Sequence, residues 1–96
     1  MVNVIFITYK IDLSHNKHVY GLVKYGNKYQ NFWGRLGFRL NFSDFRLQYS
    51  SDISNKYTQL RKSGYIEIDL ETIERKWPDF RYELESGFLM GELAGA

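Results

Sequence analysis

Cysteine is absent from the 96 residues of the chain, which excludes disulfide bonds, thiol catalysis and cysteine-based metal sites. Only two histidines are present, His15 and His18, and a turn that also contains Asp12 explains these residues more simply than a metal site does. No nucleophile motif and no glycine-rich phosphate loop occurs. The acidic residues after Asp69 are spaced as on a solvated helix face rather than as an acid–base pair. We therefore expect a protein that is not an enzyme and that has no metal or other cofactor.

Long apolar runs are also missing. The first apolar stretch, Val2 to Ile7, has no basic segment before it and is too short for a signal peptide or a membrane span. We expect it to form a strand in a cytoplasmic protein that contacts no membrane and binds no small-molecule substrate. A chain of 96 residues allows one domain with one core.

Alanine is scarce, whereas aromatic residues are abundant. Both alanines lie in the last three residues, and the chain has 8 Tyr, 7 Phe and 2 Trp. A small domain can build its core from large rings, because each buries more area than an aliphatic side chain does. We interpret most of the rings as core residues. Any that remain on the surface could stack on bases or contact a partner.

Charge is divided unevenly along the chain. Residues 1–65 contain ten Lys and Arg against three acidic residues, a net charge of +7, and residues 66–96 contain three against eight, a net charge of −5. Such an asymmetry bears on partners rather than on the fold. The acidic end has three possible roles: it is a solvated helix, it folds over the basic body and competes with DNA, or it binds a protein partner.

Hydrophobic periodicity predicts an α+β fold with an antiparallel sheet of about four to five strands. The predicted strands are Val2–Tyr9, His18–Tyr25, Lys28–Leu36 after a Gly26-Asn27 turn, and Phe38–Phe42, with the alternation continuing through Phe45, Leu47 and Tyr49. Tyr65–Asp69 reads as a further short strand.

One helix is predicted to pack on this sheet. Ser50 or Ser51 can cap it, Ile53, Tyr57 and Leu60 form one apolar stripe, and Gly64 can end it. Helical segments are also predicted over Leu70–Lys76, before Pro78, and from Asp79 onward, where Phe80, Leu84 and Phe88 have helical spacing. We therefore expect a domain over residues 1–69 and an acidic helical extension over residues 70–96 that packs on the same domain.

The pentapeptide Trp33-Gly34-Arg35-Leu36-Gly37, followed by a capped helix and by Lys62-Ser63-Gly64-Tyr65, resembles the WGR domain. This family occurs in DNA-dependent poly(ADP-ribose) polymerases and in bacterial proteins. The resemblance covers residues 2–69, and it implies an α+β domain that recognises DNA ends or breaks without catalysis of its own. By this resemblance, Trp33 packs on a terminal sugar, Gly34 lets the backbone approach, and Arg35 contacts phosphate or a neighbouring domain.

Basic residues complete the candidate site. Arg35 and Arg39 point the same way if both lie on one strand, and Lys28 could join them from the earlier part of the hairpin. Lys56, Arg61 and Lys62 could form a second basic patch, and ordinary solvated charge is the alternative for each. The expected nucleic-acid-binding residues are Trp33, Gly34, Arg35, Arg39, Lys28, Lys56 and Lys62.

Two functions remain open. The first is a small module that binds nucleic acid, DNA ends in particular. The second is a protein-binding adaptor or small inhibitor of phage or mobile-element origin, which keeps the fold without binding DNA. In the second case residues 70–96 are a candidate contact with the partner.

Overall fold

A five-stranded antiparallel sheet organises the computed structural model, which describes residues 3–43 and 50–86. The strands are β1 (Asn3–Ile11), β2 (Lys17–Tyr25), β3 (Lys28–Arg35), β4 (Asn41–Phe42) and β5 (Ile66–Glu67). Their order in the sheet is β4-β3-β2-β1-β5. The helices of the described ranges are α1 (Ser50–Lys62), α2 (Leu70–Lys76) and α3 (residues 80–86). This arrangement confirms the predicted α+β class.

Two tight turns hold the first three strands together. The Asp12 carboxylate accepts hydrogen bonds from the backbone N–H groups of Ser14 (2.8 Å) and Asn16 (2.9 Å), which closes the β1–β2 turn. The β2–β3 turn consists of Gly26 and Asn27, and Gly26 has a φ of 60°. A two-residue hairpin turn favours a positive φ, which glycine adopts without a steric penalty.

The side of the sheet that α1 covers, here the α1 face, has its own apolar cluster. Phe6 and Leu22 from the sheet pack with Leu60 of α1, and Ile53 and Tyr57 of the same helix lie against them. The ring of Phe6 meets that of Tyr57 edge to face, with centroids 5.6 Å apart. The predicted apolar stripe of α1 is therefore the surface that it buries against the sheet.

The opposite side, here the α2 face, carries the larger cluster. Ile7, Tyr9, Val19, Val23, Phe32 and Leu40 pack there with Ile73, Trp77, Phe80 and Leu84 from α2, α3 and the turn between them. Phe80 makes edge-to-face contacts with Phe32 (5.7 Å between centroids) and with Trp77 (5.5 Å). Because four of these core side chains come from residues 70–86, this segment is an integral part of the core.

The ends of the helices follow the capping signals in the sequence. Gly64 has a φ of 93°, and the N–H groups of Gly64 and Tyr65 donate to the carbonyls of Arg61 (3.1 Å) and Leu60 (3.0 Å). This pair of bonds is a Schellman motif, which ends α1 where Gly64 was expected to end it. At α2, the Asp69 carboxylate accepts from the N–H of Thr72 (2.7 Å) as an N-cap. No helix in the described parts of the chain is both long and apolar enough to cross a bilayer.

The strand predicted over Phe38–Phe42 is wrong in extent, because β4 contains only Asn41 and Phe42. The chain turns directly after β3, where the N–H of Phe38 donates to the carbonyl of Arg35 (3.1 Å) and Gly37 has a φ of 89°. The predicted strand over residues 65–69 likewise reduces to Ile66–Glu67. Phe45, Leu47, Tyr49 and Phe88, with the elements predicted around them, lie outside the described residues.

Gly21 in the middle of β2 is directly opposite Phe32 in β3. A Cβ atom at this position would overlap the Phe32 ring and would lie 2.6 Å from the backbone oxygen of Phe6. The ring of Phe32 is fully buried and lies across the space that a side chain on residue 21 would fill. The glycine therefore permits the central ring of the larger cluster to pack.

We expect Gly21→Ala to destabilise the protein by about 1–3 kcal/mol, because an extra methyl group in a packed core forces its neighbours to shift. Urea unfolding followed by far-UV circular dichroism measures the change. The matched control is the same substitution in a Phe32→Leu background, where the smaller side chain should reduce the added cost. An unfolding midpoint equal to that of the wild type would contradict the close packing of Phe32 over Gly21.

Candidate functional site

Strand register brings two sets of functional side chains into neighbouring rows on the α1 face. Tyr20 of β2 is opposite Trp33 of β3, and these two residues are here called the aromatic row. His18 is opposite both Arg35 of β3 and Lys10 of β1, and these three residues form the cationic row. The rows are two residues apart along each strand, a spacing of about 7 Å. A stacking surface thus lies directly beside a set of basic groups.

Trp33 provides the open ring of this surface. It stacks against Tyr20 with centroids 6.2 Å apart and an interplanar angle of 19°. Lys56 of α1 covers the other ring, since its Nζ lies 4.7 Å from the Tyr20 centroid, and the Tyr20 hydroxyl accepts a hydrogen bond from Asn31 Nδ2 (3.0 Å). Trp33 is 38% exposed. Its neighbours in the strand, Phe32 and Gly34, are directed to the α2 face instead, where Gly34 lies against Leu40. The accessible indole of Trp33 is available to a ligand.

Arg35 is held in place by polar and aromatic contacts. Its Nη2 donates to Asn16 Oδ1 (2.7 Å), and its guanidinium carbon lies 4.6 Å from the centroid of the Phe38 ring. Within residues 3–43 and 50–86, no carboxylate forms an ion pair with it. The guanidinium therefore carries an uncompensated charge beside the open ring of Trp33.

The Asp12–Asn16 turn supports two members of the cationic row. Asp12 Oδ2 lies 2.8 Å from His18 Nε2, and Asn16 holds Arg35. The hydrogen bond from His18, followed by that from the N–H of Asn16, lowers the pKa of Asp12 to about 2. The turn thus holds the His18 ring through the Asp12 carboxylate and the Arg35 guanidinium through the Asn16 side-chain amide.

The turn after α1 adds a wall to the site. Lys10 Nζ donates to the carbonyl of Ser63 (2.7 Å) and lies 5.7 Å from the centroid of the Tyr65 ring. Tyr65 also packs with the apolar cluster of the α1 face. The resulting open depression has a volume of about 370 Å³ and is lined by His18, Val19, Tyr20, Trp33, Gly34 and Tyr65.

Four of the residues expected in a binding site are found at this depression or at its border. Trp33 and Gly34 line it, and Arg35 lies in the adjoining row. Lys56 lies over the ring of Tyr20, which also lines the depression. A Cβ on Gly34 would lie 3.5 Å from the Arg39 carbonyl oxygen and from Leu40 Cδ2. The backbone that approaches Gly34 in this structure is therefore that of residues 39 and 40.

Three other candidates lie elsewhere. Arg35 and Arg39 do not lie on one strand, because β3 ends at Arg35 and the chain turns before residue 39. Lys28 begins β3, seven residues from Arg35, which corresponds to about 23 Å along the strand. Lys62 is exposed in the last turn of α1. The structure does not bring Lys28 to the cationic row.

Sequence reasoning missed Lys10, His18 and Tyr20 as members of the site. Their positions follow from the Gly26-Asn27 turn, because a two-residue turn pairs Tyr25 with Lys28 and so fixes every pair farther along the hairpin. Counting back from that turn places Tyr20 opposite Trp33. The signal was therefore present in the hairpin that the sequence predicted.

The acidic helices lie on the opposite side of the sheet from Trp33. Their buried residues join the cluster of the α2 face, whereas Tyr20 packs with the cluster of the α1 face. Two of their acidic side chains pair within the same segment, Glu74 with Arg81 (2.8 Å) and Glu71 with Arg75 (3.5 Å). Residues 70–86 therefore do not cover the candidate site.

Comparison of the chain with known protein families finds no match, and comparisons with curated proteins and with solved structures also find none. The site is thus defined by the geometry of its own residues.

We expect the stability that Asp12 contributes to depend on pH. Its pKa is about 2 in the folded protein, below the ordinary value of 3.8. The contribution should therefore be complete above about pH 4 and should be lost as the pH falls toward about 2. Urea unfolding of the wild type and of Asp12→Asn at pH 6 and pH 2.5 should show a difference in midpoint that shrinks at the lower pH.

Glu85→Gln, which removes one exposed carboxylate from α3, is the charge-matched control. A difference that stays constant with pH would contradict this assignment.

Proposed function

We propose that this chain is a small cytoplasmic module that binds nucleic acid, DNA ends or breaks in particular, and that acts by binding rather than by catalysis. The observation that carries the proposal is the accessible indole of Trp33 directly beside the uncompensated guanidinium of Arg35. Indole rings stack on bases and sugars, and arginine forks bind phosphate. A single nucleotide supplies both partners, a base or sugar for the indole and a phosphate for the guanidinium.

The charge around the site supports an anionic ligand. Lys10 and Arg35 lie at the two ends of the cationic row, Lys56 lies above Tyr20, and His18 adds positive charge when it is protonated. The Asp12 carboxylate, which contacts the row, is engaged by His18 and by the turn backbone. A phosphate that approaches Trp33 therefore meets an attractive field.

The Trp-Gly-Arg signature supports DNA ends as the target. In the WGR domain, which the sequence resembles, the tryptophan of the signature packs on a terminal sugar, and Trp33 has the exposure which such a contact requires. Arg35 projects from the same face two residues farther along β3, where it would meet the adjoining phosphate.

We expect Trp33→Ala to weaken binding to a short DNA duplex by about 1–3 kcal/mol, the size of one lost stacking contact. Fluorescence anisotropy with a labelled oligonucleotide measures the change in Kd. Tyr82→Ala is the matched control, because Tyr82 is 70% exposed and belongs to α3 on the other side of the sheet. Equal effects of the two substitutions would contradict a specific role of Trp33.

We expect Arg35→Ala to reduce the dependence of binding on salt by about one phosphate contact. Titrations at several salt concentrations give this slope. Arg75→Ala removes an arginine from α2, where its contact with Glu71 is 3.5 Å long and exposed, and it should leave the slope unchanged. Binding that is tight but insensitive to salt would be incompatible with a phosphate contact at Arg35.

A protein-binding adaptor or small inhibitor is the second candidate function, and exposed apolar side chains favour it. Ile11 (52% exposed) ends β1, Leu13 (fully exposed) follows it, and Phe38 (58% exposed) follows β3, which finishes at the same end of the sheet. Solvent-exposed apolar groups of this kind are suited to a protein contact. Absence of binding to any nucleic acid, together with recovery of one protein at fixed stoichiometry after nuclease treatment, would favour this function over the first.

A further inference from the structure

The depression beside Trp33 has an aromatic lining. Tyr20 and Trp33 of the sheet contribute to it, together with Tyr65 from the turn after α1. Its volume of about 370 Å³ lies at the lower end of the range for small-ligand sites. Because Lys56 covers Tyr20, the ring surface that a ligand can reach is chiefly that of Trp33, and Tyr65 belongs to the same lining.

Cations already occupy the ring contacts around this depression. Lys56 Nζ lies 4.7 Å from the Tyr20 centroid, and Lys10 Nζ lies 5.7 Å from that of Tyr65. Aromatic cages bind quaternary ammonium groups through the same ring faces, so the two lysines repel such ligands here. The surroundings instead favour a neutral ring attached to an anionic group, which is the chemistry of a nucleotide.

Aromatic side chains on the face of a sheet stack most readily on unpaired bases. In a duplex each base is already stacked and paired, and its removal from the helix has a free-energy cost. A single strand presents its bases without that cost, and its phosphates can still reach the cationic row. We propose that the depression between Trp33 and Tyr65 receives one unpaired nucleobase, so that single-stranded DNA or a single-stranded overhang binds more tightly than a blunt duplex.

This inference rests on the proposed nucleic-acid binding and specifies the part of the ligand that the depression recognises. A blunt end offers Trp33 its terminal sugar, whereas an overhang can place an unpaired base on the indole. Charge attraction alone would favour the duplex over the single strand, because duplex DNA has the higher charge density. A single-strand preference therefore reports the depression rather than the basic surface.

The Tyr65 hydroxyl gives the site a polar group. Burial, and then the nearby Tyr20, raise the pKa of Tyr65 above its ordinary value of 10.0, so the hydroxyl keeps its proton at neutral pH. The hydroxyl is thus available as a donor to the edge of a base that stacks on Trp33. The ring of Tyr65 confines the base, and the hydroxyl adds a hydrogen bond.

The test uses the full chain with Trp77→Phe, which leaves Trp33 as the single tryptophan. Its fluorescence is titrated with three DNAs that carry equal numbers of phosphates: a single strand, a blunt hairpin and a hairpin with a single-stranded overhang. We expect the single strand and the overhang to bind at least about tenfold more tightly than the blunt hairpin and to quench Trp33. In the Tyr65→Leu variant this ratio should fall toward one, whereas in Tyr65→Phe most of it should remain.

Tyr65→Leu keeps the apolar bulk of a residue that packs in the α1-face cluster, and circular dichroism verifies its fold. Equal affinity for the three DNAs, or a ratio that Tyr65→Leu leaves intact, would overturn the base site while nucleic-acid binding stands. Failure of all three DNAs to bind would overturn the proposed function and this inference with it.

Discussion

The register in which β2 pairs with β3 determines which side of the sheet each ring of the hairpin occupies. Phe32 lies over Gly21 and completes the larger cluster, and Trp33, the next residue, is consequently directed to the α1 face. A slip of one residue would bury the indole and expose the phenyl ring, since strand side chains alternate. The same register places Arg35 opposite His18. Core packing and the composition of the candidate site therefore depend on one pairing.

Local signals were sufficient to predict most of the framework. The hairpin turn at Gly26, the stripe of α1 and the glycine that ends this helix act through neighbouring residues, so the sequence displays them directly. The α+β class followed from these elements. The extent of the strand near Phe38 was wrong because a turn with Gly37 at a positive φ follows Arg35, and alternation of apolar residues does not report such a turn.

The candidate site was only partly predictable, for a related reason. Trp33 and Arg35 lie in one short motif, whereas Lys10, His18 and Tyr20 reach them through pairing across strands. Residues such as Lys28 share the same strand as the motif but are separated from it by the length of that strand. The sequence therefore grouped Lys28 with the motif, from which it is distant along β3, and passed over Lys10, which strand pairing brings to the cationic row. Register, rather than composition, decides which cations can act together.

The packing of the acidic helices on the α2 face has a consequence for how the molecule approaches a charged partner. Lys10, Arg35 and Lys56 lie on the α1 face, whereas residues 69–86 bring six acidic and three basic side chains to the other side of the sheet. A polyanion is attracted by the first set of charges and repelled by the second before any contact forms, which favours approach with the α1 face foremost. The acidic segment behind the sheet would then help to orient the encounter.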